Sequence, residues 1–170
     1  TIIQFPVADA KDWKEGLARA EAFVAAWKDD PLVTPAYAPH SMYTLDAGML
    51  QAIRASADRT GAPVLIHLSE TKVENDDSQK NHGRSPTAWL ESLAFLKPGT
   101  IGAHGVWLSD ADIALLAKRG VALSHNPESN MKLASGAAPV AAWRPAGIAS
   151  GLGTDGAASN NDLDMFQAMR

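Results

Sequence analysis

Four histidines and one aspartate stand at or near the ends of short strand-like runs, separated by similar lengths of chain. They are His40, His67, His104, His125 and Asp155, so the successive intervals are 27, 37, 21 and 30 residues. Each interval is long enough for one helix and the next strand. In a parallel barrel the C-terminal ends of the strands meet at one mouth, where active sites form. The spacing therefore predicts that these side chains converge, although each one alone is more simply explained as a structural residue.

The types of side chain in this set favour a metal site. Imidazole and carboxylate together suit Zn²⁺ or Fe²⁺, whereas Mg²⁺ and Ca²⁺ call for mostly oxygen ligands. Glu70 follows His67 by three residues, an offset that can place a carboxylate beside a metal ion as a proton shuttle. A solvated loop carboxylate explains Glu70 alone equally well. A turn or capping role likewise explains Asp155, between Gly153 and Gly156, unless other strands deliver matching groups.

The segments that would position these residues alternate between strand-like and helix-like patterns. Predicted strands or extended runs cover 1–5, 33–41, 64–70, 100–106, 121–127 and a buried run that starts at Ile148. Predicted helices run from an Asp9 cap to about Lys28, from Thr44 or Asp46 to Gly61, from Ser85, from Ser109 to Gly120, and over 140–143. Residues 72–84 and 128–136 are predicted loops, and His82 is expected to face solvent. Strands that alternate with helices, without hairpin signals, predict an α/β fold with a parallel sheet.

The composition excludes several classes of site and partner. The 170 residues contain no cysteine, so disulfides, thiolate metal sites and cysteine nucleophiles are excluded. A net charge of -4 without blocks of like charge gives no indication of a nucleic-acid partner. No apolar run approaches the ~18 residues that a membrane span needs, and no secretory signal opens the chain. We therefore expect a cytoplasmic protein without a membrane partner.

The two ends of the sequence predict that the chain is part of a longer protein. It starts inside a strand-like run without an initiator Met. It ends with residues 161–170, which resemble the first turns of a helix that has no stop signal.

Four motifs occur in a recognisable order. They are His-Leu-Ser-Glu-Thr at 67–71, Gly-Ala-His-Gly at 102–105, Ser-His-Asn-Pro-Glu-Ser-Asn at 124–130 and Gly-Thr-Asp-Gly at 153–156. Together they resemble the amidohydrolase superfamily, specifically its S-adenosylhomocysteine/5′-methylthioadenosine deaminase and chlorohydrolase branch. The runs 124–133 and 151–161 are the most specific, and the resemblance extends over 35–170.

The resemblance implies a metal-dependent hydrolase with a (β/α)₈ TIM barrel, of which this chain carries the end of strand 3 and then strands 4 to 8. It implies that His67 and Asp155 ligate one divalent metal ion, with Zn²⁺ the first expectation and Fe²⁺ the alternative. Glu70 would contact the substrate and pass protons to its ring nitrogen and leaving group. His104 would orient the metal-bound hydroxide, and Asp155 would also act as general base. His40 matches a family position that contacts the substrate.

The sequence also departs from the family pattern. The His-x-His pair of the first strand, which supplies the other two metal ligands in the family, is absent. Strands 1 and 2 and the flanking β-sandwich are absent with it. We therefore expect residues 1–170 to form a partial amidohydrolase domain that by itself binds metal weakly or not at all. Its barrel strands would have open edges, which favour association.

The implied reaction is deamination of an adenine-type nucleoside, such as S-adenosylhomocysteine, 5′-methylthioadenosine or adenosine, with release of ammonia. Glu70 favours deamination, because an acid is needed to protonate the ring nitrogen and the amine. The alternative within the superfamily is another heterocycle: guanine, cytosine, or a triazine that is deaminated or dechlorinated. The alternative outside it is a non-catalytic barrel fragment that packs against a partner. We expect the full-length protein to be a homo-oligomer, and no role is assigned to Arg19, Arg84 or His125.

Overall fold

Six parallel strands form one sheet in the computed structural model, which describes residues 2–7 and 9–170. Thr1, where the opening strand was predicted to start, lies outside these residues. The strands are β1 Ile2–Phe5, β2 Ala36–Pro39, β3 Val64–Leu68, β4 Thr100–His104, β5 Ala122–His125 and β6 Ser150–Leu152. The helices are α1 Trp13–Trp27, α2 Ala47–Thr60, α3 Lys72–His82, α4 Pro86–Ser92, α5 Asp110–Arg119, α6 Pro127–Lys132, α7 Val140–Trp143 and α8 Met165–Ala168.

The spatial order of the strands is their order along the chain. Each strand pairs in parallel with the next one, from β1 at one edge to β6 at the other. At least one helix connects each pair, as the predicted alternation requires. A parallel sheet wound in this way directs all the C-terminal strand ends to the same side. The predicted α/β architecture is therefore confirmed.

The alternation of burial along β3 separates two faces of the sheet. Val64, Ile66 and Leu68 are buried, whereas Leu65 and His67 are only partly buried and line an open cleft. This is the period of two that a strand imposes on its side chains. The buried face packs against the helices in a core whose largest members are Trp143, Tyr37, Phe5 and Phe95. The sheet thus has a helix-covered face and a cleft face.

The last strand, β6, is exposed along its whole length, so the prediction of a buried strand there was wrong. The run has the small and apolar residues of an interior strand. Within the described residues it pairs only with β5, at the edge of the sheet. Burial depends on neighbours on both sides, which a local sequence pattern does not contain.

Several helix boundaries were predicted correctly from their caps. Ser109 forms a capping box with Asp112 at the start of α5, and Gly61 and Gly120 end α2 and α5 in the left-handed conformation. The first helix begins later than predicted, because Asp12 rather than Asp9 accepts the hydrogen bond of its first turn. Asp46, not Thr44, caps α2.

The predicted loop over 72–84 is instead helix α3. The helix contains a single apolar residue, Val73, which is exposed, so no hydrophobic periodicity revealed it. The helix is instead capped at both ends. The Thr71 side chain accepts the N–H of Glu74, and Gly83, in the left-handed conformation, donates its N–H to the Gln79 carbonyl. Lys80 in the last turn also complements the helix dipole.

Two smaller predictions in the loops were also wrong. His82, predicted to face solvent, is partly buried and stacks on Trp89 with ring centroids 3.9 Å apart. The predicted loop over 128–136 begins with α6, since Pro127 provides a favourable first helical residue. None of the helices in the described ranges has the length and apolarity needed to cross a membrane.

Two leucines provide a matched test of the core. Leu116 is completely buried among the helices and the sheet, whereas Leu32 is 93% exposed. We expect Leu116→Ala to lower the free energy of unfolding by about 2–5 kcal/mol, because it removes buried methyl groups and leaves a cavity. Leu32→Ala should change it by less than about 0.5 kcal/mol. Urea denaturation of both variants measures the difference, and equal losses would contradict the assigned core.

Candidate active site and metal centre

An open cleft lies at the C-terminal ends of the strands. Its volume is about 640 Å³, within the range of about 300–1,000 Å³ that is usual for small-molecule sites. His40, His67, Glu70 and Asp155, which the sequence singled out, all line it. The cleft combines this polar group with apolar wall residues such as Tyr43 and Leu133.

His67 and Asp155 form, together with the buried His104, a cluster that suits a metal ion. One donor atom from each of His67, His104 and Asp155 lies within 4.8 Å of the other two. The Nε2 atom of His104 is 3.8 Å from Oδ2 of Asp155 and 3.8 Å from Oε2 of Glu70. This Nε2 atom is buried and has no hydrogen-bond partner among the described residues. A buried polar atom without a partner is costly, so the donor set fits a bound cation or a polar ligand.

The hydrogen bonds of the two imidazoles fix which nitrogen faces the cluster. Nδ1 of His67 lies 2.6 Å from the backbone oxygen of His40, and Nδ1 of His104 lies 2.8 Å from Oδ1 of Asn130. Both oxygens are acceptors, so each Nδ1 must donate a proton. In the neutral rings, each Nε2 therefore carries a lone pair, the form that ligates a metal or accepts a hydrogen bond.

Asp155 is held as a carboxylate by two serines. The hydroxyls of Ser129 and Ser159 both donate to Oδ2, each at 2.7 Å. Burial by itself raises the pKa of Asp155, but these two hydrogen bonds, the N–H of Gly156 and nearby His104 outweigh it and lower the pKa overall. The residue is therefore charged at neutral pH, as a metal ligand or a base must be.

Glu70 is not the solvated loop carboxylate that its position alone allowed. Its side chain is only 13% exposed and approaches the buried Nε2 of His104. Its backbone N–H donates to Oε2 of Glu74 at 2.7 Å. Glu70 therefore occupies a fixed place beside the metal-suited cluster without belonging to it.

His40 completes a row of three imidazoles along the cleft. Its ring centroid is 4.6 Å from that of His67, which in turn is 5.3 Å from that of His104. Burial, and after it the neighbouring His67, lower the pKa of His40. A ring that stays neutral at pH 7 can accept or donate a hydrogen bond and present its face to a ligand.

His125 does not join the other strand-end residues, so the prediction of five converging side chains was wrong for this one. Ser124 and Asn126 line the cleft, and alternation along the strand directs the residue between them to the other face. There its ring packs edge-on against Trp143, with centroids 6.1 Å apart. Arg19 and Arg84 do not line the cleft either. Arg19 forms an ion pair with Glu15, and Arg84 donates a hydrogen bond to the His82 carbonyl.

Four residues of the site were missed by the sequence reasoning. Ser129, Ser159 and Asn130 hold Asp155 and His104, but a polar side chain in a motif does not reveal its partner. Glu74, only 5% exposed, supports the turn that carries Glu70. A signal for Glu74 was present, because Thr71 and Glu74 have the spacing of a capping box.

The family model of the amidohydrolases matches residues 3–170, and the chain belongs to this family. The chain is 42% identical over 166 residues to a 5-methylthioadenosine/S-adenosylhomocysteine deaminase of Thermodesulfovibrio yellowstonii, a match that covers 98% of the chain and 38% of that relative. It is 48% identical over 141 residues to a 5'-deoxyadenosine deaminase of Methanothermobacter thermautotrophicus, covering 83% of the chain and 33% of the relative.

A solved structure of an adenosine deaminase from Xanthomonas campestris with bound zinc superposes with a TM-score of 0.94 at 42% identity. This match covers 98% of the chain and 39% of that structure. The chain thus spans less than two fifths of the length of each of these relatives. These similarities confirm the resemblance and establish the fold as part of an amidohydrolase TIM barrel.

Gly153 allows the close approach of β6 to the end of β5. A Cβ atom there would lie 2.5 Å from Oδ1 of Asn126 and 2.7 Å from Oγ of Ser124. We expect Gly153→Ala to lower the free energy of unfolding by about 1–3 kcal/mol through overpacking and to weaken metal binding by displacing Asp155. Gly151→Ala is the control, since no described atom lies within 4 Å of its added Cβ. Thermal unfolding and metal titration of the full-length protein compare the two variants, and equal behaviour would contradict this packing.

Glu74 should make stability depend on pH. Burial raises its pKa from 4.5 to about 7, although the N–H groups of Glu70 and Ser69 act in the opposite direction. Between these two values the folded state holds a proton that the unfolded state has lost, so stability falls as pH rises through this window. Relative to Glu74→Gln, the wild-type free energy of unfolding should fall by about 3 kcal/mol from about pH 4 to about pH 8. Denaturation of both proteins at several pH values measures this, and parallel profiles would contradict it.

Proposed function

We propose that this chain is the part of a metal-dependent aminohydrolase that deaminates an adenine-type nucleoside, such as 5′-methylthioadenosine, S-adenosylhomocysteine or adenosine. The observation that carries the proposal is the convergence of His67, Asp155 and Glu70, which line the cleft, on the buried Nε2 of His104. The deaminase relatives support the substrate class. The zinc in the adenosine deaminase structure supports Zn²⁺ over Fe²⁺.

The metal ion would be held by His67 through Nε2 and by Asp155. The remaining ligands, a His-x-His pair in the family pattern, would come from outside the chain. When bound, a divalent metal ion lowers the pKa of a coordinated water towards ~7 and so supplies a nucleophile at neutral pH. The residues of the chain then orient this water and move its protons.

Glu70 is the group that carries protons to the substrate. Its carboxylate lies beside the cluster and within the cleft. Of the two protons of the attacking water, Glu70 would pass one to a purine ring nitrogen, which makes the adjacent ring carbon more electrophilic. Asp155, charged at neutral pH, would take the other proton, and its return by way of Glu70 to the amine would let the amine leave as ammonia. His104 accepts a hydrogen bond from that water through its Nε2 lone pair and so directs it.

His40 provides the contact to the substrate. It lines the cleft next to His67, where its neutral ring can hydrogen-bond a nucleoside or stack on it. The apolar residues of the same cleft, Tyr43 and Leu133, suit the flat base.

The cytoplasmic location and the homo-oligomeric state of the full-length protein remain part of this proposal. The absence of cysteine is compatible with a reducing compartment.

The alternatives are less well supported. A non-catalytic fragment gives no reason for two imidazoles and a carboxylate to present their donor atoms to one place. Dechlorination of a triazine needs one fewer protonation of the leaving group, so it gives less reason for a nearly buried acid at position 70. Deamination of another heterocycle, such as guanine or cytosine, would use the same residues. Turnover assays with each substrate distinguish it from the proposal.

Ammonia release by the full-length, metal-loaded protein tests the proposal. We expect turnover of at least one of the three nucleosides, loss of turnover after chelation, and recovery on addition of Zn²⁺. Glu70→Gln should lower kcat by about 10²–10⁴-fold with unchanged metal content, because it removes the proton-transferring group. Glu91→Gln, at the Arg119 pair on the outer helices, is the control and should leave kcat unchanged. No turnover of any of the nucleosides with metal bound would overturn the substrate assignment.

A further inference from the structure

Glu74 is a buried carboxylate that the reaction above does not use. It is the third residue of α3, follows the capping residue Thr71 by three positions, and is 5% exposed. Both of its oxygens accept backbone hydrogen bonds, Oε1 from Ser69 at 3.1 Å and Oε2 from Glu70 at 2.7 Å. Its carboxylate therefore binds the backbone of two of the three residues that link β3 to α3.

This arrangement differs from an ordinary capping box. In a capping box the acidic side chain accepts the N–H of the capping residue itself. Asp112 does this at the start of α5, where it accepts the N–H of Ser109 at 3.0 Å. Glu74 instead reaches past Thr71 to the two residues before it. The difference directs its charge to the turn that contains Glu70, rather than to the helix end alone.

The turn needs such support because its backbone is strained. Ser69 has a φ of 49°, in the left-handed region that a residue with a side chain adopts at a cost. Its carbonyl accepts the N–H of Trp107 at 2.9 Å, and the preceding Leu68 carbonyl accepts that of Gly105 at 3.0 Å. The turn is thus held from the segment after β4 on one side and from Glu74 on the other.

The buried charge of Glu74 lowers the stability of the folded protein. A residue that served only to fill space in the core would not carry such a charge. Burial raises its pKa to about 7. Both oxygens nevertheless face N–H donors, an arrangement that favours the ionised carboxylate over the protonated acid. A neutral side chain of similar size would fill the same space without the cost of a buried charge.

We propose that Glu74 is a positioning residue for Glu70: its carboxylate holds the Ser69–Glu70 turn so that the Glu70 carboxylate stays within reach of Nε2 of His104. The inference rests on the proposed function only in that Glu70 transfers protons. Glu74 does not line the cleft, and its carboxylate acts through the backbone N–H groups of the turn.

A double-mutant cycle in the full-length, metal-loaded protein tests this role. Glu74→Gln should lower kcat about tenfold or more with less than a twofold change in KM. In a Glu70→Gln background the same change should lower the residual kcat by less than twofold, because the residue being positioned is already inactive. Equal effects in the two backgrounds, or no effect of Glu74→Gln on kcat, would overturn the proposal.

Two further variants separate positioning from general destabilisation. Asp112→Asn removes a comparably buried acid from the start of α5, where its partners Ser85 and Ser109 lie outside the cleft lining. It should lower the melting temperature without changing kcat. Ser69→Gly accepts a positive φ without strain, so the double variant Glu74→Gln/Ser69→Gly should recover part of the kcat lost in Glu74→Gln. Absence of any recovery would contradict a role through the turn.

A structural readout keeps the inference independent of the reaction. In a crystal structure of Glu74→Gln, the separation of Glu70 Oε2 from His104 Nε2 should exceed the 3.8 Å of the wild type by more than 1 Å. An unmoved Glu70 would refute the positioning role even if the protein deaminates nucleosides. A displaced Glu70 in a protein without deaminase activity would support the positioning role and reject the proposed function.

Discussion

One carbonyl group, that of His40, organises the site. It accepts the backbone N–H of His67 at 3.0 Å and the ring Nδ1 of the same residue at 2.6 Å. The first bond joins the chain just beyond β2 to β3. The second fixes the tautomer of His67 and turns its Nε2 lone pair to the cluster. Sheet pairing and the chemistry of the site therefore depend on the same oxygen atom, and a shift of one strand relative to the other would change both.

Three strained residues lie at the same mouth of the sheet. Ser69, His104 and Asp155 all adopt positive φ angles, of 49°, 74° and 62°, although none of them is glycine. Each of these residues lies where a strand ends and the chain turns towards the next helix. Such conformations persist only when the surroundings impose them. Here the surroundings include the hydrogen bonds of Glu74 to Ser69, of Asn130 to His104, and of Ser129 and Ser159 to Asp155. None of these four supporting residues was predicted from the sequence.

The sequence allowed the fold and the convergence of three histidines and Asp155 to be predicted, because parallel strands of similar spacing must bring their ends together. It did not predict the orientation of His125, which depends on which residue of β5 faces the cleft. The prediction that β6 is buried was wrong for a related reason, since burial depends on neighbours in space. Helix α3 was missed because Val73 is its only apolar residue, so periodicity carried no signal and only its capping residues did.

The make-up of α3 also has a consequence for motion. Only Glu74 and Ser78 are buried in it, so the helix gains little hydrophobic stabilisation and depends on its caps and charges. Segments with few buried apolar contacts open locally at a small fraction of the global free energy of unfolding. The turn that carries Glu70 thus joins β3 to a helix with only two buried residues. Local opening of α3 would remove the two hydrogen bonds that Glu74 makes to the turn, whereas those from Gly105 and Trp107 would remain.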